Sequence, residues 1–325
     1  MKKTIYQYAI AIILIAIAIF IVFEEDYFIV VQNVSLFHVL ATAAISLLCL
    51  SVSGFIVALI TSKQYRIKLK LIDIVTLPLM MYFWGIMIPI KGGMLYQVFF
   101  LKSKYNLKIV QGVSIAIYRY LIVFIVAGVF GLFYAVSHNQ ILSPLTFISL
   151  FLIFSLYILK LTNRIFQNFS FRKWTILQKV QRVIQSLTDS VQLHLWDFKM
   201  TASVSALSLL QIFCRVLRYY WICHIFKIDV SFLLLTVLTL FVEITNIFRF
   251  VPGNIGVTEL VTGGLLNVLG KTTAEGVLIA LFVRASVLIL VFTFGVGAVL
   301  VNMKYFHLKS IKNLFFKLKQ NVPSS

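Results

Sequence analysis

Four arginines interrupt long apolar stretches of this 325-residue chain, and their chemistry is that of phosphate binding. Arg119 and Arg284 each lie alone in such a stretch, and Arg215 and Arg218 lie one turn apart in a third. A charge near the centre of a bilayer costs at least a few kcal/mol, so an intramembrane arginine is a functional candidate by default. The planar guanidinium binds two phosphate oxygens at once, which favours an anionic ligand.

Acidic residues are fewer in the same stretches, and they support a second interpretation. Glu243 and Glu259 lie in one apolar segment, and Asp73 lies near the inner end of another. The arginines would then pair with these acids to hold the segments in place, or extend to an interface. Glu259 follows a glycine-rich turn, where it would cap a helix. Both interpretations stay open from the residues alone.

Two further apolar segments, 71–101 and 231–269, are interrupted by proline and glycine. The first reads Pro-Ile-Lys-Gly-Gly at 89–93, and the second reads Pro-Gly-Asn-Ile-Gly at 252–256. Non-helical backbone at membrane depth is tolerated only where protein or a watery cavity surrounds it. The residues after each break would start a half-helix whose N-terminal amides favour anions, and the glycines would shape the backbone under any function. The candidate substrate-binding residues are Lys91, Gly92, Gly93, Arg119, Arg215, Arg218, Glu243, Asn246, Arg249, Pro252, Gly253, Asn254, Gly256, Glu259 and Arg284.

The elements that must position these residues are membrane-spanning helices. The chain is 61% hydrophobic and only 12% charged, which excludes an ordinary water-soluble domain. We interpret the first apolar run as a retained helix, because it continues beyond the faint cleavage-like site at 16–18. Six stretches approach or exceed the roughly 20 residues that a bilayer crossing needs: 5–23, 39–60, 109–134, 143–160, 200–222 and 276–302.

The basic residues predict the topology. With both termini on the cytoplasmic side, 22 of the 29 Lys and Arg residues lie inside, as the positive-inside bias requires. This works only if 71–101 is a re-entrant hairpin from the cytoplasm and 231–269 is one from the outside. We therefore expect an all-α polytopic protein of the cytoplasmic (inner) membrane with six transmembrane helices.

Most of the net charge of +19 then reflects topology, facing the anionic lipids of the inner leaflet. Nucleic acid is not an expected partner, because the chain has no compact basic domain. Apolar residues at helical spacing in 173–198 predict an amphipathic helix on the cytoplasmic interface. Packing of that helix on another cytoplasmic loop is an equal alternative.

The order of elements predicts an inverted repeat. Residues 1–135 form the first membrane repeat (two spans, hairpin, span), residues 136–302 form the second, and 303–325 form a basic cytoplasmic tail. Arg119 lies 30 residues after Pro89, and Arg284 lies 32 after Pro252, so the two arginines take nearly equivalent positions. Inverted repeats with broken segments in matching places are typical of secondary transporters, and the breaks usually mark the binding site.

At these residues the sequence resembles the lysylphosphatidylglycerol synthase transmembrane family, also called flippase-like membrane proteins. The resemblance lies in the P-x-K-G-G segment with Arg119 after it, and in the N-x(5)-P-G-x-x-G-x-x-E segment from Asn246 to Glu259 with Arg284 after it. The family includes the membrane half of the bacterial multiple-peptide-resistance factor, which moves aminoacylated phosphatidylglycerol between leaflets while a separate cytoplasmic domain attaches the amino acid. The resemblance therefore implies a translocase-like membrane region and leaves its lipid open. Only a short tail follows the last span here, so we expect the translocase-like part alone, without the synthase domain. Stand-alone members are associated with other envelope lipids or polyprenyl-linked sugars.

The leading hypothesis is a lipid translocase that passes a phosphate headgroup through a polar seam between the hairpins, with no enzymatic activity, cofactor or metal. One alternative is an integral-membrane glycosyl- or phospho-transferase acting on a lipid carrier. Such chemistry usually groups carboxylates at one membrane face, whereas Asp73, Glu243 and Glu259 are widely separated. Another alternative is an accessory subunit of an envelope-lipid pathway. The lipid, the direction, the energy source and a homodimeric assembly stay open.

Overall fold

The computed structural model describes residues 2–24, 34–88, 92–137, 197–247, 251–268 and 270–298, with the isolated positions 150 and 154. These ranges consist of helices and short connecting loops, and they contain no strand. A 3₁₀ turn at Pro252–Asn254 lies between the seventh and eighth helices, and a π-helical turn at Val291–Gly295 extends the last one. The α-helices are α1 (Lys2–Glu24), α2 (Leu36–Tyr65), α3 (Leu71–Met87), α4 (Gly92–Tyr105), α5 (Ile109–Ser137), α6 (Phe198–Ile225), α7 (Phe232–Ile247), α8 (Val257–Val268) and α9 (Thr273–Leu290).

Four helices in the described ranges are long and apolar enough to cross a membrane: α2, α5, α6 and α9 with its extension. They correspond to the predicted spans 39–60, 109–134, 200–222 and 276–302. The first predicted span corresponds to α1, whose described apolar part is the shorter stretch Ile12–Val22. The span at 143–160, the amphipathic helix at 173–198 and the tail at 303–325 lie outside the described residues.

Side-chain caps set where the long helices begin. Ser35 and His38 form a capping box at the start of α2, and Thr272 and Glu275 form one at the start of α9. The Asp197 carboxylate accepts the Met200 amide at 3.0 Å and caps α6. Each cap satisfies backbone donors that the first turn of a helix cannot bond internally.

The first broken segment is an antiparallel helical hairpin. Its helices, α3 and α4, have 17 and 14 residues, each shorter than the roughly 20 that a full crossing needs. Near the break, a Cβ on Gly93 would lie 2.2 Å from the Met81 carbonyl oxygen, so only glycine lets the helices approach this closely. At the other end, Lys104 on α4 bonds Asp73 on α3 at 2.6 Å. The two open ends of the hairpin therefore lie together.

The second broken segment turns sharply between α7 and α8, which have 16 and 12 residues. Three of its four residues from 253 to 256 have positive φ: Gly253 (60°), Asn254 (57°) and Gly256 (80°). Glycine adopts such angles without strain, and asparagine tolerates them. The break touches the first hairpin, because a Cβ on Gly253 would lie 3.2 Å from a side-chain carbon of Ile86. The two breaks thus meet inside the helical bundle.

Helix contacts come in matched pairs when α2–α5 are set against α6–α9. The packing of α2 on α3 matches that of α6 on α7, and the packing of α4 on α5 matches that of α8 on α9. The contacts of α2 with α9 and of α6 with α5 form a further pair, and α2 packs directly on its counterpart α6. A two-fold relation between the sets predicts this pattern. The inversion of the halves relative to a membrane, and the predicted boundaries of the repeats, stay predictions.

Candidate functional site: an arginine-lined cavity between the two breaks

A cavity of about 180 Å³ lies where the two breaks meet, and all four arginines found in apolar stretches line it. Arg119 comes from α5, Arg215 and Arg218 from α6, and Arg284 from α9. Gly93 of the first hairpin and Gly253 of the second break line the same cavity. Residues that lie more than 150 positions apart in the sequence therefore face one small polar space.

Arg119 and Arg218 are held by serines of α2. Arg119 Nη1 donates to Ser53 Oγ at 2.8 Å, and Arg218 Nη1 donates to Ser46 Oγ at 3.2 Å. The two serines are seven residues apart on one face of α2, about 10 Å along its axis, so the two arginines are spread along the cavity. A guanidinium has five N–H donors. These are the only hydrogen bonds of either guanidinium among the described residues, and Arg218 Nε is buried there without a partner.

No carboxylate of the described residues pairs with Arg119 or Arg218. Each guanidinium instead lies over a tyrosine ring, at 5.3 Å from the Tyr120 centroid for Arg119 and 5.6 Å from the Tyr219 centroid for Arg218. Such a cation–π contact offsets part of the cost of burying the charge. Arg119 is only 9% exposed. The cavity therefore contains two cations whose charges the described part of the chain leaves uncompensated.

Arg215 is paired differently. It forms a salt bridge with Glu243 of α7, and the two side chains are 20% and 18% exposed. Both residues line the cavity. Their charges cancel, so this pair joins α6 to α7 and adds little net potential to the site.

Arg284 bonds mainly to residues in and next to the second break. It forms a salt bridge with the fully buried Glu259, and its Nη1 and Nη2 donate to the carbonyls of Gly253 and Asn254, each at 3.2 Å. A further bond joins Nη2 to Glu259 Oε2 at 3.3 Å. Four of its five donors are thereby used within the chain. Arg284 lines the cavity, but most of its bonding capacity holds the turn in shape.

Glu259 caps α8 as well as pairing with Arg284. Its Oε2 accepts the Gly256 amide at 2.8 Å. This differs from the expectation that the first amides of the half-helix face a substrate, because this amide already has an internal acceptor. A residue that can both cap a helix and bind an arginine satisfies two buried groups at once, which lowers the cost of burying it.

The two halves differ at the position of that carboxylate. Glu259 lies seven residues after Pro252, and Tyr96 lies seven residues after Pro89. Tyr96 stacks on Trp84, and its hydroxyl donates to Met80 Sδ at 3.1 Å. Arg119 and Arg284 therefore take similar places in the sequence but have different surroundings, since only the second half offers a carboxylate there.

The structure brings together seven of the fifteen candidate residues as cavity lining: Gly93, Arg119, Arg215, Arg218, Glu243, Gly253 and Arg284. Five more lie in the breaks behind that lining: Gly92, Pro252, Asn254, Gly256 and Glu259. Asn246 lies in the last turn of α7, and its side chain is not described. Lys91 and Arg249 fall outside the described residues.

Sequence reasoning missed the polar residues that share the cavity with the arginines. Ser46, Cys49, Leu50 and Ser53 all line it, at the spacing of one helix face. Gln211 lines it too and is 6% exposed. The signal in the sequence was weak, because Ser46 and Ser53 share their stretch with Thr42 and Ser51.

Comparison with known proteins gives one clear result. The family model described as the lysylphosphatidylglycerol synthase TM region matches residues 6–295, which is most of the chain. Neither the curated proteins nor the solved structures give a match. The resemblance inferred from the two broken motifs is therefore confirmed.

Proposed function

This chain belongs to the lysylphosphatidylglycerol synthase transmembrane family, and on that premise we propose that it is a lipid translocase. It moves a phosphate-bearing envelope lipid, or a polyprenyl-linked lipid, between the leaflets of the cytoplasmic membrane. The observation that carries the proposal is the cavity at the meeting point of the two breaks, lined by four arginines of which two lack a carboxylate partner among the described residues.

The chemistry of that cavity suits a phosphate group. Arg119 and Arg218 each have N–H donors left after their single bond to a serine. Charge-assisted bonds from a guanidinium to phosphate are among the strongest hydrogen bonds in proteins. A headgroup bound there is removed from the apolar interior, while its acyl or prenyl tails stay between the helices and the lipid.

The shape of the hairpins supports a pathway through the membrane. The open ends of α3 and α4 are tied together by Asp73 and Lys104, which is the geometry of a segment that enters and leaves on one side. The matched helix contacts support a second, related unit. In the proposed topology this unit enters from the opposite side. Alternating access in transporters built from inverted repeats uses such related units on either side of a central site.

A reconstituted transfer assay tests the proposal. The purified chain is placed in vesicles containing fluorescent phosphatidylglycerol, and the fraction of label reached by an impermeant quencher is followed with time. We expect protein-dependent transfer that falls about tenfold or more in Arg119→Gln, since one charge-assisted bond is lost. Lys102→Gln removes an exposed charge away from the cavity and should transfer like the unmodified chain. Equal transfer by the Arg119→Gln variant would remove the basis of the mechanism.

The rival function is an integral-membrane transferase that acts on a lipid carrier. The described contacts do not favour it, because Asp73, Glu243 and Glu259 are each bonded to a different cation instead of lying together. General acid–base catalysis needs a carboxylate within reach of the reacting proton. A product assay with candidate donor and acceptor lipids distinguishes this function from transfer.

A further inference from the structure

The charges of the residues around the cavity indicate which class of lipid it binds. Among the cavity-lining residues there are four arginines and a single carboxylate, that of Glu243. Glu243 is paired with Arg215, and Glu259, behind the lining, is paired with Arg284. Two positive charges are left over, on Arg119 and Arg218.

The chain has few other carboxylates that might neutralise them. It contains ten acidic residues in all. Asp73 is bonded to Lys104, Asp197 and Glu275 cap helices, and Asp229 is exposed in the loop between α6 and α7. Together with the two paired glutamates, these account for six of the ten. The other four are Glu24, Glu25, Asp26 and Asp189, whose side chains are not described.

Most of the groups that would attract a cationic headgroup already have a cation of the chain beside them. An ammonium is bound by a carboxylate or by the face of an aromatic ring. The cavity carboxylate is bonded to Arg215, and the rings of Tyr120 and Tyr219 lie under Arg119 and Arg218. Tyr82 is the remaining aromatic ring of the described lining, and it offers no negative charge. The side chain of Gln211 lines the cavity and forms no hydrogen bond with the described residues, so its amide offers a neutral donor and acceptor. A neutral hydroxyl group next to a phosphate could hydrogen-bond to this amide.

We infer that the cavity takes a lipid phosphate of net negative charge and excludes the aminoacylated, cationic form of that lipid. This inference rests on the proposed function and specifies its cargo. It separates this chain from the substrate that the family's name suggests, since the lysyl ester of phosphatidylglycerol adds ammonium groups, and the described cavity wall has no unpaired carboxylate for them. Glycerophospholipids and prenyl phosphates share the accepted chemistry.

A binding comparison on the full-length chain in detergent tests this at fixed, low ionic strength. The two main probes are dihexanoyl phosphatidylglycerol and its lysyl ester, which share tails and phosphate and differ only in the amino acid. We expect phosphatidylglycerol to bind at least about tenfold more tightly, because an unpartnered ammonium loses its hydration on entry. Equal or tighter binding of the lysyl ester overturns the inference. Geranylgeranyl phosphate and inorganic phosphate serve as further arms: the first tests a prenyl source, and the second tests whether the tail is needed.

An isosteric variant makes the test independent of folding defects. Gln211→Glu adds one carboxylate to the cavity wall without changing its shape, and Lys102→Glu changes an exposed charge away from the cavity. We expect the first variant to reduce the preference for phosphatidylglycerol about tenfold and the second to leave it unchanged. An unchanged preference in Gln211→Glu overturns the inference.

The transfer assay separates the two proposals. If the lysyl ester crosses vesicles as fast as phosphatidylglycerol, the selectivity is wrong and translocation stands. If neither lipid crosses, translocation is wrong, and the binding ratio still reports the selectivity of the cavity.

Discussion

Arg119 and Arg284 take matching positions in the sequence, yet their replacement should have opposite consequences for stability. In Arg284→Gln, the Glu259 carboxylate stays fully buried and loses its cation, and the carbonyls of Gly253 and Asn254 lose their donors. In Arg119→Gln, no described carboxylate is left behind, and a single bond to Ser53 is lost. The same substitution thus removes a structural pair at one site and an uncompensated charge at the other.

The expected magnitudes follow from those partners. Breaking a buried ion pair by removing one member costs about 3–5 kcal/mol, so Arg284→Gln should lower the free energy of unfolding by that amount. Losing the charge-assisted bond from Arg119 to Ser53 costs about 1.5–3 kcal/mol. Removing a buried, unpaired cation raises the free energy of unfolding by at least as much, since an intramembrane charge is itself unfavourable. Arg119→Gln should therefore be as stable as the unmodified chain, or more stable.

Equilibrium unfolding in mixed detergent micelles measures the difference. The double variant Glu259→Gln with Arg284→Gln replaces the pair by two neutral amides and should recover most of the lost stability, with a coupling of a few kcal/mol in the double-mutant cycle. Lys102→Gln is the surface control. The division of roles is wrong if Arg119→Gln unfolds as readily as Arg284→Gln, or if the two single effects at Glu259 and Arg284 simply add.

Three further outcomes test the cavity and its supports. Ser53→Ala removes the hydroxyl that orients Arg119, so lipid transfer should fall severalfold, less than in Arg119→Gln, and the free energy of unfolding should fall by about 1.5–3 kcal/mol through the loss of that bond. Gly93→Ala places a methyl group 2.2 Å from the Met81 carbonyl oxygen and should lower the unfolding free energy by about 1–3 kcal/mol; Gly264→Ala, with no atom within 4 Å, should leave it unchanged or raise it slightly. Asp73→Asn removes the 2.6 Å salt bridge at the open end of the first hairpin and should cost about 3 kcal/mol, measured in the same unfolding experiment.

The four long helices and the two broken segments were predictable because each has a strong local cause. Runs of more than 20 apolar residues are stable only within a membrane or a large hydrophobic core. Proline and glycine at 252–256 fix a turn by their own backbone preferences, and the structure has positive φ at Gly253 and Gly256. These features depend on neighbours in sequence and need no knowledge of the tertiary fold.

The partners of the arginines were not predictable, because they come from distant helices. The choice between Glu243 and Glu259 as partner for a given arginine depends on how α6, α7 and α9 pack, and sequence spacing does not fix that packing. The serines of α2 gave almost no signal, since an isolated serine in an apolar helix more often bonds its own backbone. Ser51 does so, donating to the Leu47 carbonyl at 2.8 Å, whereas Ser53 accepts from Arg119.

The arginines of the cavity differ in whether a carboxylate pairs with them, and this difference affects how strongly each can bind an anion. A cation paired with a buried carboxylate contributes little binding free energy to an incoming phosphate, because the phosphate must first displace the carboxylate. A cation held by a serine and a tyrosine ring keeps most of its donors, so binding an anion relieves an existing cost instead of adding one. Under the proposed function, we therefore expect substrate binding to gain the most free energy at Arg119 and Arg218. Arg284 and Glu259 shape the break that places them around one space.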